Sequence, residues 1–207
     1  MAITGIAKAT FGVADLGETT RFFDDFGLTQ KSRSDTETLY ALEEGSEVGV
    51  HHKDDPALPQ AWFEGNGVRE VIWGVDSKES LDTLVRNVAA DRKVEERDGV
   101  VYFKSDEGIA YGLKVWERRR VAYRPDGVNA PGAVMRFNHM RRWRDEARPK
   151  CINHVVFKVT NYEKEFSLLQ ERLNFRLTDT PRGRGKFGRA DGTNEHHNIF
   201  YRNIRPD

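Results

Sequence analysis

One position recurs three times in this chain, and the residue found there differs each time. It is the third position of three similar segments, and it holds Lys8, Glu70 and His154. The segments are 6–13, 68–75 and 152–159. Only the last of the three residues, an imidazole, is a neutral ligand for transition metals at neutral pH. We therefore expect any metal chemistry to lie in the last part of the chain, with His154 as a ligand.

Each segment has the pattern of a strand that opens a repeated unit. A segment of helical period follows it, with Asp15, Ser77 and Asn161 as the expected helix N-caps, and short β-rich pieces come after the helix. The pattern predicts an α+β fold of tandem βαβββ modules, with two complete N-terminal modules and one C-terminal module. We expect an N-terminal domain over 1–117, a connector rich in Pro, Gly and Arg over 118–150, and a C-terminal domain over 151–207.

Composition limits the classes of partner. The 207 residues are 38% apolar, which is enough for a folded core. The 33 basic and 33 acidic residues cancel, so nothing favours nucleic acid or an anionic membrane as a partner. Cys151 is the single cysteine and cannot form an internal disulfide. Because no signal or membrane-spanning pattern opens the sequence, we expect a cytoplasmic protein with a small-molecule partner.

Other polar clusters have simpler explanations. His51 and His52 lie in a charged strand end and are expected to be solvated, as are the arginines at 118–120. The Arg/Gly-rich loop over 182–186 lacks the Walker pattern of a phosphate-binding loop, so we interpret it as an ordinary loop.

Two stretches of sequence carry a family resemblance. The third of the tandem βαβββ units opens with Ile-Asn-His-Val-Val-Phe at 152–157, and the run at 189–201 reads Arg-Ala-Asp-Gly-Thr-Asn-Glu-His-His-Asn-Ile-Phe-Tyr. With the connector that ends in Ala147-Arg148-Pro149, these features resemble the vicinal oxygen chelate superfamily of glyoxalases, bleomycin-resistance proteins and extradiol dioxygenases. More narrowly, nearly the whole chain is similar to the two-domain extradiol catechol dioxygenases.

The resemblance implies roles for two histidines. In such dioxygenases the N-terminal pair of modules has lost its metal, and the C-terminal pair holds Fe(II), with Mn(II) as the alternative, through two His and one carboxylate. His154 matches the first of these ligands. His197, expected on a strand over 196–202, matches a residue that is not a ligand but hydrogen-bonds substrate or oxygen and acts as acid or base. His196 should then face the other side of that strand.

The same resemblance implies that the metal site is incomplete. The second metal His and the closing Glu would belong to a fourth module beyond Asp207. The chain is then expected to be the front part of an extradiol-type dioxygenase for a catecholic diol and dioxygen, or to have its site completed by another chain. The alternative is a metal-free, small-molecule-binding module without catalysis, like a bleomycin-resistance protein. A third reading is a structural fragment that forms a homo-oligomer through its uncovered third module.

Overall fold

The computed structural model describes residues 2–122 and 146–204, so most of the expected connector lies outside the described residues. Fifteen elements occur in these ranges, twelve strands and three helices. In the described part of the chain no helix is long and apolar enough to cross a membrane.

The first two units share one sheet of eight strands. The strands of the first unit are β1 (Ile3–Val13), β2 (Thr29–Arg33), β3 (Glu37–Ala41) and β4 (Glu47–His52). Those of the second unit are β5 (Gly67–Val75), β6 (Glu95–Arg97), β7 (Val100–Lys104) and β8 (Ala110–Val115). Their order across the sheet is β2-β3-β4-β1-β5-β8-β7-β6, and the two units meet where β1 and β5 pair antiparallel. The predicted α+β fold of βαβββ units is confirmed.

One helix follows the opening strand of each unit, and each begins at the predicted N-cap. The side chains of Asp15, Ser77 and Asn161 accept hydrogen bonds from backbone N–H groups in the first turn of their helices. Such a cap satisfies an N–H group that the helix leaves free. The helices are α1 (Leu16–Asp25), α2 (Lys78–Ala89) and α3 (Tyr162–Leu173).

The third unit forms a separate four-stranded sheet in the order β10-β11-β12-β9. Its strands are β9 (Val155–Val159), β10 (Arg176–Asp179), β11 (Gly185–Arg189) and β12 (Ile199–Asn203). The first and last of these begin three residues later than their predicted segments, 152–159 and 196–202. His154 and His197 therefore lie just before a strand and not on one.

A shared core joins the third unit to the second. Buried aromatic side chains from both sheets meet there, with the ring centroids of Trp73 and Phe175 5.0 Å apart. The phenol oxygens of Tyr111 and Tyr201 are 2.6 Å apart, and both residues are fully buried. Because a buried hydroxyl needs a partner, this hydrogen bond links the two sheets specifically. The helix-covered face of the second sheet is thereby buried, and within the described residues its other face is open.

Candidate functional site

The repeat places three residues at one equivalent position. Lys8 precedes its N-cap Asp15 by seven residues, Glu70 precedes Ser77 by seven, and His154 precedes Asn161 by seven. The helix N-caps thus align the three units independently of the strand segments and place His154 at the position of Lys8 and Glu70. The three side chains occupy the same point in three copies of one unit. The units therefore differ there in the chemical group that they present, an ammonium, a carboxyl or an imidazole.

In the second unit this position holds a buried carboxyl. Glu70 is buried, with its Oε1 3.4 Å from the hydroxyl of Thr10, which can donate a hydrogen bond to it. Burial raises the pKa of the Glu70 carboxyl, and the nearby Lys8 ammonium opposes that rise. Gly49, which pairs with Thr10, and Gly112, which pairs with Ile72, bring no side chain to this face. At these two positions the closing strands thus contribute no carboxylate beside Glu70.

A cavity of about 640 Å³ lies on the same sheet, away from the histidines of the third unit. Its lining includes Glu70, Arg97 and Tyr102, with the Arg97 guanidinium 4.7 Å from the centre of the Tyr102 ring. The lining mixes acidic and basic side chains and contains no imidazole. It therefore does not offer the imidazole ligands of the iron site that the resemblance implies.

The open face of the second sheet brings the two predicted site residues together. The imidazole rings of His154 and His197 have centroids 4.5 Å apart. The ring of Phe187 lies 4.7 Å from that of His197 and stacks on Phe200 at 4.0 Å. Two imidazoles thus border a flat aromatic surface, an arrangement suited to a planar ligand that carries polar groups at one edge.

His196 was expected to face away from His197, and that prediction is wrong. The two Nδ1 atoms are 2.9 Å apart, because both residues lie in the loop before β12, where the alternation of strand side chains does not apply. The pKa of His197 is lowered by partial burial first, and then by His154 and His196. Its imidazole is therefore predominantly neutral at pH 7 and available to accept a proton.

A buried amide holds the two histidine segments in place. The side-chain oxygen of Asn198 accepts hydrogen bonds from the backbone N–H of Ala190 (2.9 Å) and the hydroxyl of Thr193 (2.7 Å). Its amide nitrogen donates to the backbone carbonyl of Asn153, 3.1 Å away. Asn198 thus fixes the residue next to His154 from a position next to His197.

An ion-pair network supports the same two segments from the first sheet. The Arg118 guanidinium donates to Glu44 (2.6 Å) and to Glu195 (3.2 Å), while the other oxygen of Glu44 accepts from the backbone N–H of Ile152 (3.2 Å). Glu44 is 2% exposed, so its charge requires these partners. Arg118 is exposed, as expected for the arginines at 118–120, but it also forms these ion pairs, which the sequence did not indicate.

The prediction of a solvated pair is also wrong for His51. Its ring is largely buried, with Nδ1 2.9 Å from Asp55 and Nε2 3.3 Å from Glu37. His52 is exposed, as expected. The sequence did not indicate this difference, because both histidines lie in one charged segment. His51 is set apart by its contact with Asp55, four residues further along the chain.

The described residues alone do not fit a complete iron centre. Among residues 2–122 and 146–204, no group of three or more His, Cys, Asp or Glu side chains could hold a metal ion. The open face offers His154 with His197 beside it, whereas a facial site needs two imidazoles and a carboxylate as ligands. Any further ligand would have to come from outside the described residues.

Sequence comparisons give no match, whereas structural comparisons give many. No family model matches the chain, and neither does any curated protein. The Mn(II)-bound glyoxalase from Novosphingobium aromaticivorans aligns over 100% of this chain, with a TM-score of 0.73 and 19% identity. The 2,3-dioxygenase LapB from Pseudomonas sp. KL28 also aligns over 100%, with a TM-score of 0.68 and 16% identity. BphC, a halotolerant catechol dioxygenase, aligns over 97%, with a TM-score of 0.67 and 13% identity.

These solved structures are longer than the present chain. The chain spans 64% of the glyoxalase, 72% of LapB and 65% of BphC. The structural alignments establish the fold, whereas identities this low leave the activity to be tested. The predicted resemblance is confirmed at that level: this chain shares the fold of these solved glyoxalase and dioxygenase structures.

Proposed function

We propose that this chain contributes one side of a divalent-metal site of the extradiol dioxygenase type, acting on a catecholic aromatic and dioxygen. His154 is the metal ligand of this side, with Fe(II) as the expected ion and Mn(II) as the alternative. The observation that carries the proposal is the position of His154. It occupies the repeat position that Lys8 and Glu70 fill elsewhere, at an open face and beside a second imidazole.

His197 is proposed as the acid or base of the same site. Its lowered pKa keeps the imidazole neutral near pH 7, so it can accept a proton from a substrate hydroxyl. The stacked rings of Phe187 and Phe200 beside it provide a flat apolar contact for an aromatic ring. Because the described residues do not complete the metal site, the remaining ligands are proposed to come from a further module or another chain.

The test separates metal binding from proton transfer. Anaerobic calorimetric titration with Fe(II) is compared for the wild-type protein, His154→Ala, His197→Ala and the control His52→Ala, whose imidazole is exposed on the first sheet. We expect His154→Ala to weaken Fe(II) binding by roughly tenfold or more, and His52→Ala to leave it unchanged. Equal affinities for the His154→Ala and wild-type proteins would contradict the role of His154.

Catalysis is tested by oxygen uptake with catechol in the Fe(II)-loaded protein, supplied with whatever module completes the site. We expect His197→Ala to lower the rate by roughly 10²–10⁴-fold with Fe(II) affinity retained. A parallel loss of Fe(II) affinity would make His197 a ligand instead of an acid or base.

A metal-free binding module is the second candidate function. The stacked, half-buried pair of Phe187 and Phe200 and the lack of a third ligand among the described residues favour it. Catechol binding measured by tryptophan fluorescence in the presence of EDTA distinguishes the two proposals. Binding that is unchanged by EDTA and by His154→Ala, without oxygen uptake when Fe(II) is added, would favour the metal-free module.

A further inference from the structure

Strand β9 is an edge strand, although the equivalent strands of the first sheet are not. β1 and β5 pair with each other antiparallel and so join the first two units into one sheet. In the described residues β9 pairs with β12 alone and ends its sheet. An edge strand presents unpaired N–H and C=O groups that can pair with another strand.

The backbone of β9 shows which residues face this edge. The N–H of Val155 donates to the carbonyl of Asn198, and the carbonyl of Val159 accepts from the N–H of Ile204 just after β12. Backbone groups of successive strand residues point to opposite sides. Val156 and Lys158, which alternate with these residues, therefore direct their N–H and C=O groups to the edge.

We propose that β9 pairs antiparallel with β9 of a second copy of this chain, in the register that joins β1 to β5. In the first sheet Ala9 pairs with Val71, and both lie six residues before their helix N-caps. The equivalent residue of the third unit is Val155. The same register therefore places Val155 against the partner subunit's Val155, and His154 against Val156 of the partner subunit.

This register is compatible with two identical strands. It is symmetric about Val155, as a two-fold axis requires. It covers Val156, an apolar residue that is 51% exposed. Lys158 is equivalent to Gly74, and Cys151 is equivalent to Gly5, with which Gly74 pairs in the first sheet. Lys158 therefore lies opposite the partner's Cys151, so that no two like charges face each other.

This pairing goes beyond the proposed function, which left open which module or chain lies beside the third unit. It identifies that neighbour as a second copy of this chain. The two four-stranded sheets would become one eight-stranded sheet, with His154 of both copies on the same face. A second copy would then bring its own imidazoles to the open face that the first copy presents.

A cross-link tests the register directly. Because Val155 directs its N–H to β12, the Val155 pair is a non-hydrogen-bonded pair with Cα atoms about 4.5 Å apart, within the range of about 4.4–6.8 Å that a disulfide spans. In a Cys151→Ser background, we expect mild oxidation of Val155→Cys to give mostly disulfide-linked dimer. The control is Leu177→Cys on the opposite edge strand, which is 46% exposed and should give little disulfide-linked dimer.

A second variant tests the association without a cross-link. In sedimentation velocity we expect a dimer whose dissociation constant rises by roughly tenfold or more in Val156→Lys, because the two introduced lysines would lie diagonally across the strand pair on the same face and repel each other. Val115→Lys, at a valine of similar exposure on the first sheet, is the matched control and should leave the dimer intact. Circular dichroism checks that each variant is folded.

A folded monomer that gives no Val155→Cys cross-link at any concentration tested would overturn the proposal, since the edge would then be covered in another way. A dimer that survives Val156→Lys would also overturn it. Neither result bears on the Fe(II) affinity of the His154→Ala variant, so the failure of this inference and the failure of the proposed function are distinguishable.

Discussion

The side-chain amide of Asn198 donates a hydrogen bond to the backbone carbonyl of Asn153, 3.1 Å away, and so ties together the segments that carry His197 and His154. The same side chain accepts two further hydrogen bonds, from Ala190 and Thr193. The geometry of the open face thus depends on a buried residue that need not touch a ligand.

We predict that Asn198→Ala destabilises the protein by roughly 1–3 kcal/mol, because it leaves buried hydrogen-bonding groups without a partner. Urea unfolding followed by circular dichroism measures this change. Asn194→Ala, at an exposed position of the same loop, is the control and should change the free energy of unfolding by less than about 0.5 kcal/mol. Equal effects of the two substitutions would refute the structural role of Asn198.

The hydrogen bond between Tyr111 and Tyr201 should couple the two sheets energetically. We predict that Tyr111→Phe or Tyr201→Phe alone costs roughly 1–3 kcal/mol, because the remaining buried hydroxyl loses its partner. The double substitution should cost less than the sum of the two, since it removes both polar groups. A double-mutant cycle in urea measures the coupling, and strictly additive effects would show that the hydroxyls do not interact.

The pKa of His197 should lie below the ordinary value of 6.5. NMR titration of the imidazole resonances measures it, and we expect His154→Ala to raise it, since His154 is one of the groups that lower it. His52→Ala is the control and should have no effect. A His197 pKa at or above 6.5 in the wild-type protein would contradict the partly buried position of the ring.

This shift also has a consequence for stability. The unfolded chain binds a proton at His197 more readily than the folded protein does, so the contribution of this group to stability is complete above about pH 6.5. It is lost as the pH falls from there toward the lower pKa of the folded state. The difference in unfolding free energy between the wild type and His197→Gln should show this dependence on pH.

The buried carboxyl of Glu70 should give the opposite dependence on pH. Its folded-state pKa is raised, chiefly by burial, so the folded protein holds a proton there more strongly than the unfolded chain does. This contribution is present below the ordinary value of about 4.5 and is lost as the pH rises through the folded-state pKa. We predict that Glu70→Gln flattens the dependence of unfolding free energy on pH in this window. Glu64→Gln, an exposed control, should leave it unchanged.

The fold could be predicted from sequence because its local signals agree with each other. The N-caps at Asp15, Ser77 and Asn161 follow apolar strand segments and precede segments of helical period. The position of the strand and of the helix can therefore be read from the local sequence of each unit. Near the histidines, the starts of β9 and β12 were predicted three residues too early. Asn198 and Thr193 hold the residues before β12 in a loop, and a polar loop next to a strand has no distinct periodicity.

Parts of the candidate site could not be predicted because they depend on long-range contacts. Comparison of equivalent positions in the sequence predicted His154 as a ligand, but the network of Glu44, Arg118 and Glu195 joins residues far apart in the chain. The stack of Phe187 on Phe200 likewise depends on the pairing of β11 with β12. Neither contact leaves a pattern in the local sequence.

The central claim is that His154 holds a divalent metal at the open face of the second sheet, and paramagnetic broadening by Mn(II) tests it most directly. The protein is titrated with substoichiometric Mn(II) at pH 7.5, and the imidazole signals of the histidines are followed by NMR. We predict that the signals of His154 and His197 broaden first, while those of His51 and His52 persist. Preferential broadening of His51 or His52, or equal broadening of all the histidines, would contradict the account.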